Sequence, residues 1–101
     1  MKIIDKIGTP AMLEQCAEEC AELGQACLKL ARKLRDENPT SSDTELLIEN
    51  LNEEAADVWL VINLLEYAHI LHPDDILNVM NFKRDRWRER LGLEPMGGCD
   101  V

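Results

Sequence analysis

Little in this sequence favours β-structure. Aromatic residues make up 4% of the chain, and glycine and proline number 5 and 4 among 101 residues. Sandwiches and barrels draw on aromatic and β-branched strands joined by many glycine- or proline-bearing turns, so this scarcity excludes them and predicts helices. Basic residues are also few: 11 Lys and Arg stand against 20 Asp and Glu, for a net charge of -9. That balance excludes phosphate-backbone neutralisation, and with it nucleic-acid binding, as the main business of the molecule. No run approaches the ~18 apolar residues of a membrane span, and residues 1–8 (MKIIDKIG) lack a signal peptide's apolar region. The sequence therefore predicts a cytoplasmic protein with no membrane partner. Four cysteines are present, but Cys16, Cys20 and Cys27 fall on the apolar side of one predicted helix. They are expected to pack as small core residues rather than to form a disulfide frame or a metal site. Cys99, in the GGCD tail, reads as a spare thiol.

What is present is helical periodicity. One domain over 1–101 is expected, all-α, with main helices near 10–36, 43–72 and 74–91 and a loose tail at 93–101. Thr9-Pro10 has the form of an N-cap followed by a first-turn proline. From Leu13 to Leu34 the apolar residues then form one broad arc at ~100° per residue. Gly24 in that arc costs about 1 kcal/mol of helix propensity unless another helix backbone approaches there. Ser42 and Glu45 have capping-box spacing at the start of the second helix. Pro73 restarts the chain as a third helix, with acids in its first turn, basic residues in its last turns and Gly92 as a stop. The second helix is apolar around more than half its circumference, from Leu46 to Leu71, which exceeds the ~100° stripe of a surface helix. Three helices of one protomer cannot cover it, so a homodimer completing a helical bundle is expected, or a dimer of dimers. Trp59 is expected to pack.

The acids follow the same wheels. Residues 18–22 (EECAE) supply Glu18, Glu19 and Glu22; residues 53–57 (EEAAD) supply Glu53, Glu54 and Asp57. Glu19 with Glu22, and Glu54 with Asp57, are i,i+3 pairs that share a helix face. Glu54 is flanked by Val58, Val61 and Leu65. Four carboxylates partly enclosed by aliphatics repel one another and lose hydration unless a cation neutralises them. Oxygen-only ligands suit Mg²⁺, with Mn²⁺ as its substitute, and not Zn²⁺. Such a site takes phosphate oxygens as further ligands, which points to phosphoryl chemistry. A di-iron bundle would require two Glu-x-x-His pairs, and only Glu66 with His69 has that form, on the other side of the helix. His69 and His72 are expected at the helix C-terminus, favouring its dipole. Five of the eleven basic residues, Lys83, Arg84, Arg86, Arg88 and Arg90, crowd the third helix. Lys83 and Arg86, with Asn81 beside them, are the candidate substrate-binding residues for a polyphosphate.

EECAE followed by EEAADVW resembles the EExxE…ExxD signature of the MazG-like, all-alpha nucleoside triphosphate pyrophosphohydrolases. The wording EECAELGQACLKLARKL and NLNEEAADVWLVINLL is especially similar to the short single-domain members, phage-type ones included, and the resemblance spans roughly residues 10–90. It implies Mg²⁺-dependent hydrolysis of a nucleoside or deoxynucleoside triphosphate at the α–β bond, giving monophosphate and pyrophosphate, by a dimer or dimer of dimers. Carried onto this chain, the metal ligands would be Glu19, Glu22, Glu54 and Asp57. Glu18 would be the motif's first acid, and Glu18 or Glu53, one step outside each ligand pair, the place for a catalytic base. Lys83 and Arg86 resemble the family's phosphate contacts, although NFKRDR departs from a cleaner K-x-x-R context. Phosphoribosyl-ATP pyrophosphohydrolase is a related alternative, against which Gln15-Cys16-Ala17 weighs, where a lysine and glycine would precede EE. A non-catalytic, partner-binding or antitoxin-like helical oligomer is the alternative outside enzymes.

Overall fold

The structure, a computed structural model, describes residues 1–37 and 43–94. It has α1 (Ile3–Ile7), α2 (Thr9–Leu34), α3 (Thr44–Tyr67) and α4 (Pro73–Arg90), and no strand among the described residues. The expected all-α class is what the chain adopts. Met1–Ile70 forms one compact unit and the chain from Leu71 onward a second. In the first, α2 packs along α3 and the short α1 touches both.

The three long helices lie near their expected positions, and their ends are set by local chemistry. Gly8, not Thr9, caps α2: with φ 90° it turns the chain out of α1, and its carbonyl accepts the N–H of Met12 at 3.1 Å. A positive φ of that kind is readily adopted only by glycine. Ser42 lies outside the described residues; the cap on α3 is Asp43, whose Oδ1 accepts the N–H of Leu46 at 2.9 Å. This satisfies one of the helix's orphan donors.

The predicted second helix, extending to residue 72, is too long. It ends at Tyr67, where His69 turns to φ 61°. His69 then donates to the Glu66 carbonyl, and Ile70 to the Leu65 carbonyl, both at 3.0 Å. This paired capture of terminal carbonyls normally uses glycine at the left-handed position, so a histidine there leaves no sign in the sequence. Gly92 does the same work after α4, at φ 73°, with Leu93 returning its N–H to the Arg88 carbonyl at 2.9 Å. There the predicted stop is correct. His72 precedes Pro73 in an extended conformation, which the proline ring requires of its neighbour.

The core is thin, as the chain length leads one to expect. Ile4, Met12, Ala26, Leu47, Val61 and Leu65 are buried, one or more from each of the first three helices. Several expected packing residues are not. Cys16 is half-buried, but Cys20 and Cys27 are exposed free thiols, and Cys99 lies outside the described residues. Trp59 is 69% exposed. A Cβ added at Gly24 would meet no atom within 4 Å, so among the described residues no helix backbone approaches it. Cys20, Gly24 and Cys27 lie on the apolar arc predicted for α2, but beyond the part of it that α1 and α3 cover.

Leu65 and Met12 are the two side chains most completely enclosed. Leu65→Ala is expected to lower the unfolding free energy by about 2–5 kcal/mol, and the similarly sized Leu65→Met by less than about 1.5 kcal/mol, in urea titration followed by helical circular dichroism.

Candidate metal centre

Four carboxylates meet where α2 faces α3. One oxygen from each of Glu19, Glu22, Glu54 and Asp57 lies within 4.8 Å of the others. The i,i+3 spacing explains half of this, since it stacks each pair on one helix face. Packing of the two helices around Leu47, Val61 and Leu65 supplies the rest. Glu19 and Glu54 are half-buried, and Glu22 and Asp57 are exposed.

The hydrogen bonding is incomplete in an informative way. Gln15, one turn before Glu19, donates its Nε2 to Glu19 Oε1 at 2.7 Å. That fixes the carboxylate's orientation, and the contact was missed in the sequence although Gln at i and Glu at i+4 is its pattern. Glu19 Oε2 and Glu54 Oε2 are buried and have no hydrogen-bond partner among the described residues. A buried acceptor without a donor is costly, and a buried charge more so.

Glu54 records the strain in its acidity. Its carboxyl is raised above the ordinary glutamate value, first by loss of hydration, then by the charge of Glu22 and a hydrogen bond with it, and further by the charges of Asp57 and Glu19. A cation bound beside these carboxylates would favour the charged form of Glu54 and oppose the shift.

The donor set fits a hard divalent ion. It is all oxygen, and among the described residues no histidine or cysteine joins it. Four oxygens within 4.8 Å of one another are close enough together that one small divalent ion, bound to oxygen at about 2.1 Å, could be held between them. The cluster can therefore coordinate a divalent metal ion through Glu19, Glu22, Glu54 and Asp57.

Glu18 and Glu53 are exposed, one residue before Glu19 and Glu54. Asn81, Lys83 and Arg86 belong to the second unit. On α4, Asn81 Oδ1 accepts a hydrogen bond from Arg84 Nη2. Lys83 lines a hollow with Trp87 and Arg88, whereas Arg86 lies 5.6 Å from the Phe82 ring centre and lines a different one. The expected Lys83–Arg86 pair is thus divided between two hollows. No described helix is long and apolar enough to cross a membrane.

In comparisons with known proteins, no family model, curated protein or solved structure matches the chain.

The raised pKa of Glu54 has a stability consequence. A carboxyl that binds its proton more tightly folded than unfolded contributes stability below its unfolded value, and that contribution is lost as pH rises through the higher folded value. In chelator, Glu54→Gln is therefore expected to melt above the native protein at neutral pH, the difference shrinking as the solution is made acidic. A difference constant across pH would show that Glu54 titrates as an ordinary glutamate.

Proposed function

We propose that the chain is a metal-dependent nucleoside triphosphate pyrophosphohydrolase of the MazG-like kind, cleaving between the α and β phosphates. The observation that carries this reading is the convergence of Glu19, Glu22, Glu54 and Asp57, two of them with buried oxygens that no donor among the described residues satisfies. EECAE and EEAAD place those same four acids at the ligand positions of the signature that the sequence resembles.

Mg²⁺ or Mn²⁺ bound there would supply Lewis-acid stabilisation of phosphate charge and a more acidic water. The residues of the chain do the rest. The Glu19 and Glu22 carboxylates on α2, and those of Glu54 and Asp57 on α3, hold the ligand geometry, with Gln15 fixing Glu19. Glu18 or Glu53, each one residue before a ligand and exposed, is assigned to accept a proton from an attacking water. Asn81, Lys83 and Arg86 are assigned to the substrate, where cations oppose the charge of the departing pyrophosphate.

Assembly as a homodimer belongs to the same reading. On α2, Leu13, Ala17, Cys20, Gly24, Cys27 and Leu28 occupy one arc of about 100° and are all exposed. On α3, Leu46 and Leu60 are more than half exposed. Leaving a few hundred Å² of such surface in water forfeits several kcal/mol at ~25 cal/mol per Å². The thermal midpoint should accordingly rise with protomer concentration. A stable 11.5 kDa monomer in sedimentation at micromolar concentration would defeat the dimer.

The activity is tested by incubating the purified chain with Mg²⁺ or Mn²⁺ and a panel of unmodified and modified triphosphates. Monophosphate and pyrophosphate are expected as products. Glu54→Gln and Asp57→Asn should each reduce turnover by more than the ~10–100-fold typical of residues behind a metal ligand, with helicity retained, and Glu53→Gln should cost less. If no triphosphate is hydrolysed with either ion, the enzymatic reading fails in favour of a binding module.

A further inference from the structure

The uncovered face of α2 reads the same in both directions. Gly24 is flanked on it by Cys20 and Cys27, these by Ala17 and Ala31, and these in turn by Leu13 and Leu34. Every step is of three or four residues, so the series runs along one stripe of the helix, about 32 Å long at ~1.5 Å per residue. Ala31 is half-buried and the others are exposed.

A stripe in that order is complementary to itself under a two-fold axis through Gly24, which is the relation an isologous interface requires. Two α2 helices crossing antiparallel about such an axis would set Gly24 on the partner's Gly24, Cys20 beside the partner's Cys27, and Leu13 toward the partner's Leu34. The sizes suit this arrangement. No side chain stands at the point of closest approach, where a Cβ would meet no atom within 4 Å among the described residues, and leucines stand where crossing helices diverge. Charge gives the direction. Along one edge of the stripe Glu14 lies in the N-terminal half and Arg32 and Arg35 in the C-terminal half, all of them exposed. Arg35 is loosely engaged, its Nε 3.9 Å from Glu37. Antiparallel helices set Glu14 opposite the partner's arginines, whereas parallel helices set like charge against like.

We propose that a second copy of this chain packs antiparallel on α2 about a two-fold axis at Gly24, bringing Cys20 of each copy against Cys27 of the other. The arrangement rests on the homodimer of the proposed reading and adds to it the face, the direction and the register. Helix axes about 8–10 Å apart leave about 3.4–5.4 Å between directly facing Cα atoms and more to either side, which overlaps the ~4.4–6.8 Å that a disulfide spans. Cys20 and Cys27 are free thiols, so oxidised glutathione can join each cross-pair, taking up two electrons and two protons per disulfide and leaving as two molecules of reduced glutathione.

In a chain carrying Cys16→Ser and Cys99→Ser, oxidised glutathione at micromolar protein should give a covalent dimer on non-reducing electrophoresis. Adding either Cys20→Ser or Cys27→Ser should abolish it. Unfolding and refolding those two variants together should restore it, because the mixed dimer keeps one intact cross-pair. Parallel or unspecific contact would leave a covalent dimer in each variant alone, through like residues, and would overturn the proposal. Gly24→Leu supplies a reading without thiols. It raises helix propensity, so helicity should be retained, yet the dimer dissociation constant in sedimentation should rise at least about tenfold through overpacking at the axis. Association unchanged by Gly24→Leu would overturn the axis. A native chain that stays monomeric would defeat the homodimer and this arrangement together, whereas a dimer without cross-pairing would defeat the arrangement alone.

Discussion

Mutual repulsion among four carboxylates, held against itself by the packing of two helices, is the constraint from which the rest of the first unit can be understood. Glu54 occupies the same side of α3 as Val58, Val61 and Leu65, a position that an ordinary bundle would give to an aliphatic. The helix cannot rotate to hydrate Glu54 without exposing Leu65, which is among the two most enclosed side chains in the protein. Hydrophobic burial therefore sets the register, and the acids are carried into proximity with it. This is the usual relation between a stable scaffold and a strained site, in which unfavourable local electrostatics persists because the surrounding contacts over-determine the geometry.

That relation explains which parts of the molecule could be read from the sequence. Periodicity gave the three long helices, since 3.6 residues per turn is a property of each segment alone. It also gave the acid cluster, because i,i+3 pairs on two apolar faces must converge once those faces meet. The short helix at Ile3–Ile7 was missed, being little more than one turn long and shorter than a periodicity window. The end of α3 was missed for a different reason: His69 takes a backbone conformation usually reserved for glycine, and nothing in its side chain announces that. Gln15 was overlooked as a partner of Glu19 although its spacing was visible.

Coverage of the apolar faces was the least legible property. A helical wheel says which way a side chain points, but not how many neighbours lie in that direction. Cys20, Cys27 and Trp59 were expected to pack and are exposed. The same limitation applies to α4, where Lys83 and Arg86 are three residues apart and look like one pair on a wheel. Their neighbours separate them. Asp85 and Glu89 flank the hollow that Arg86 lines, while Trp87 and two further cations flank that of Lys83. Charge recognition depends on what surrounds a cation as much as on the cation itself.

Gly24 brings the two themes together. Among the described residues nothing approaches it, so its absent side chain serves no contact with them. Glycine in the middle of a helix nevertheless costs about 1 kcal/mol relative to alanine. It lies in the exposed arc with Ala17, Cys20 and Cys27, all of them small, flanked by the larger Leu13 and Leu28. A surface with a shallow centre and apolar edges admits a second helix closely, with side chains of the incoming helix seated over the small residues. The cost at Gly24 and the exposure of that arc are unexplained separately by the protomer, and both are accounted for together if the proposed second copy covers α2 there, on the side of the helix turned away from the carboxylates.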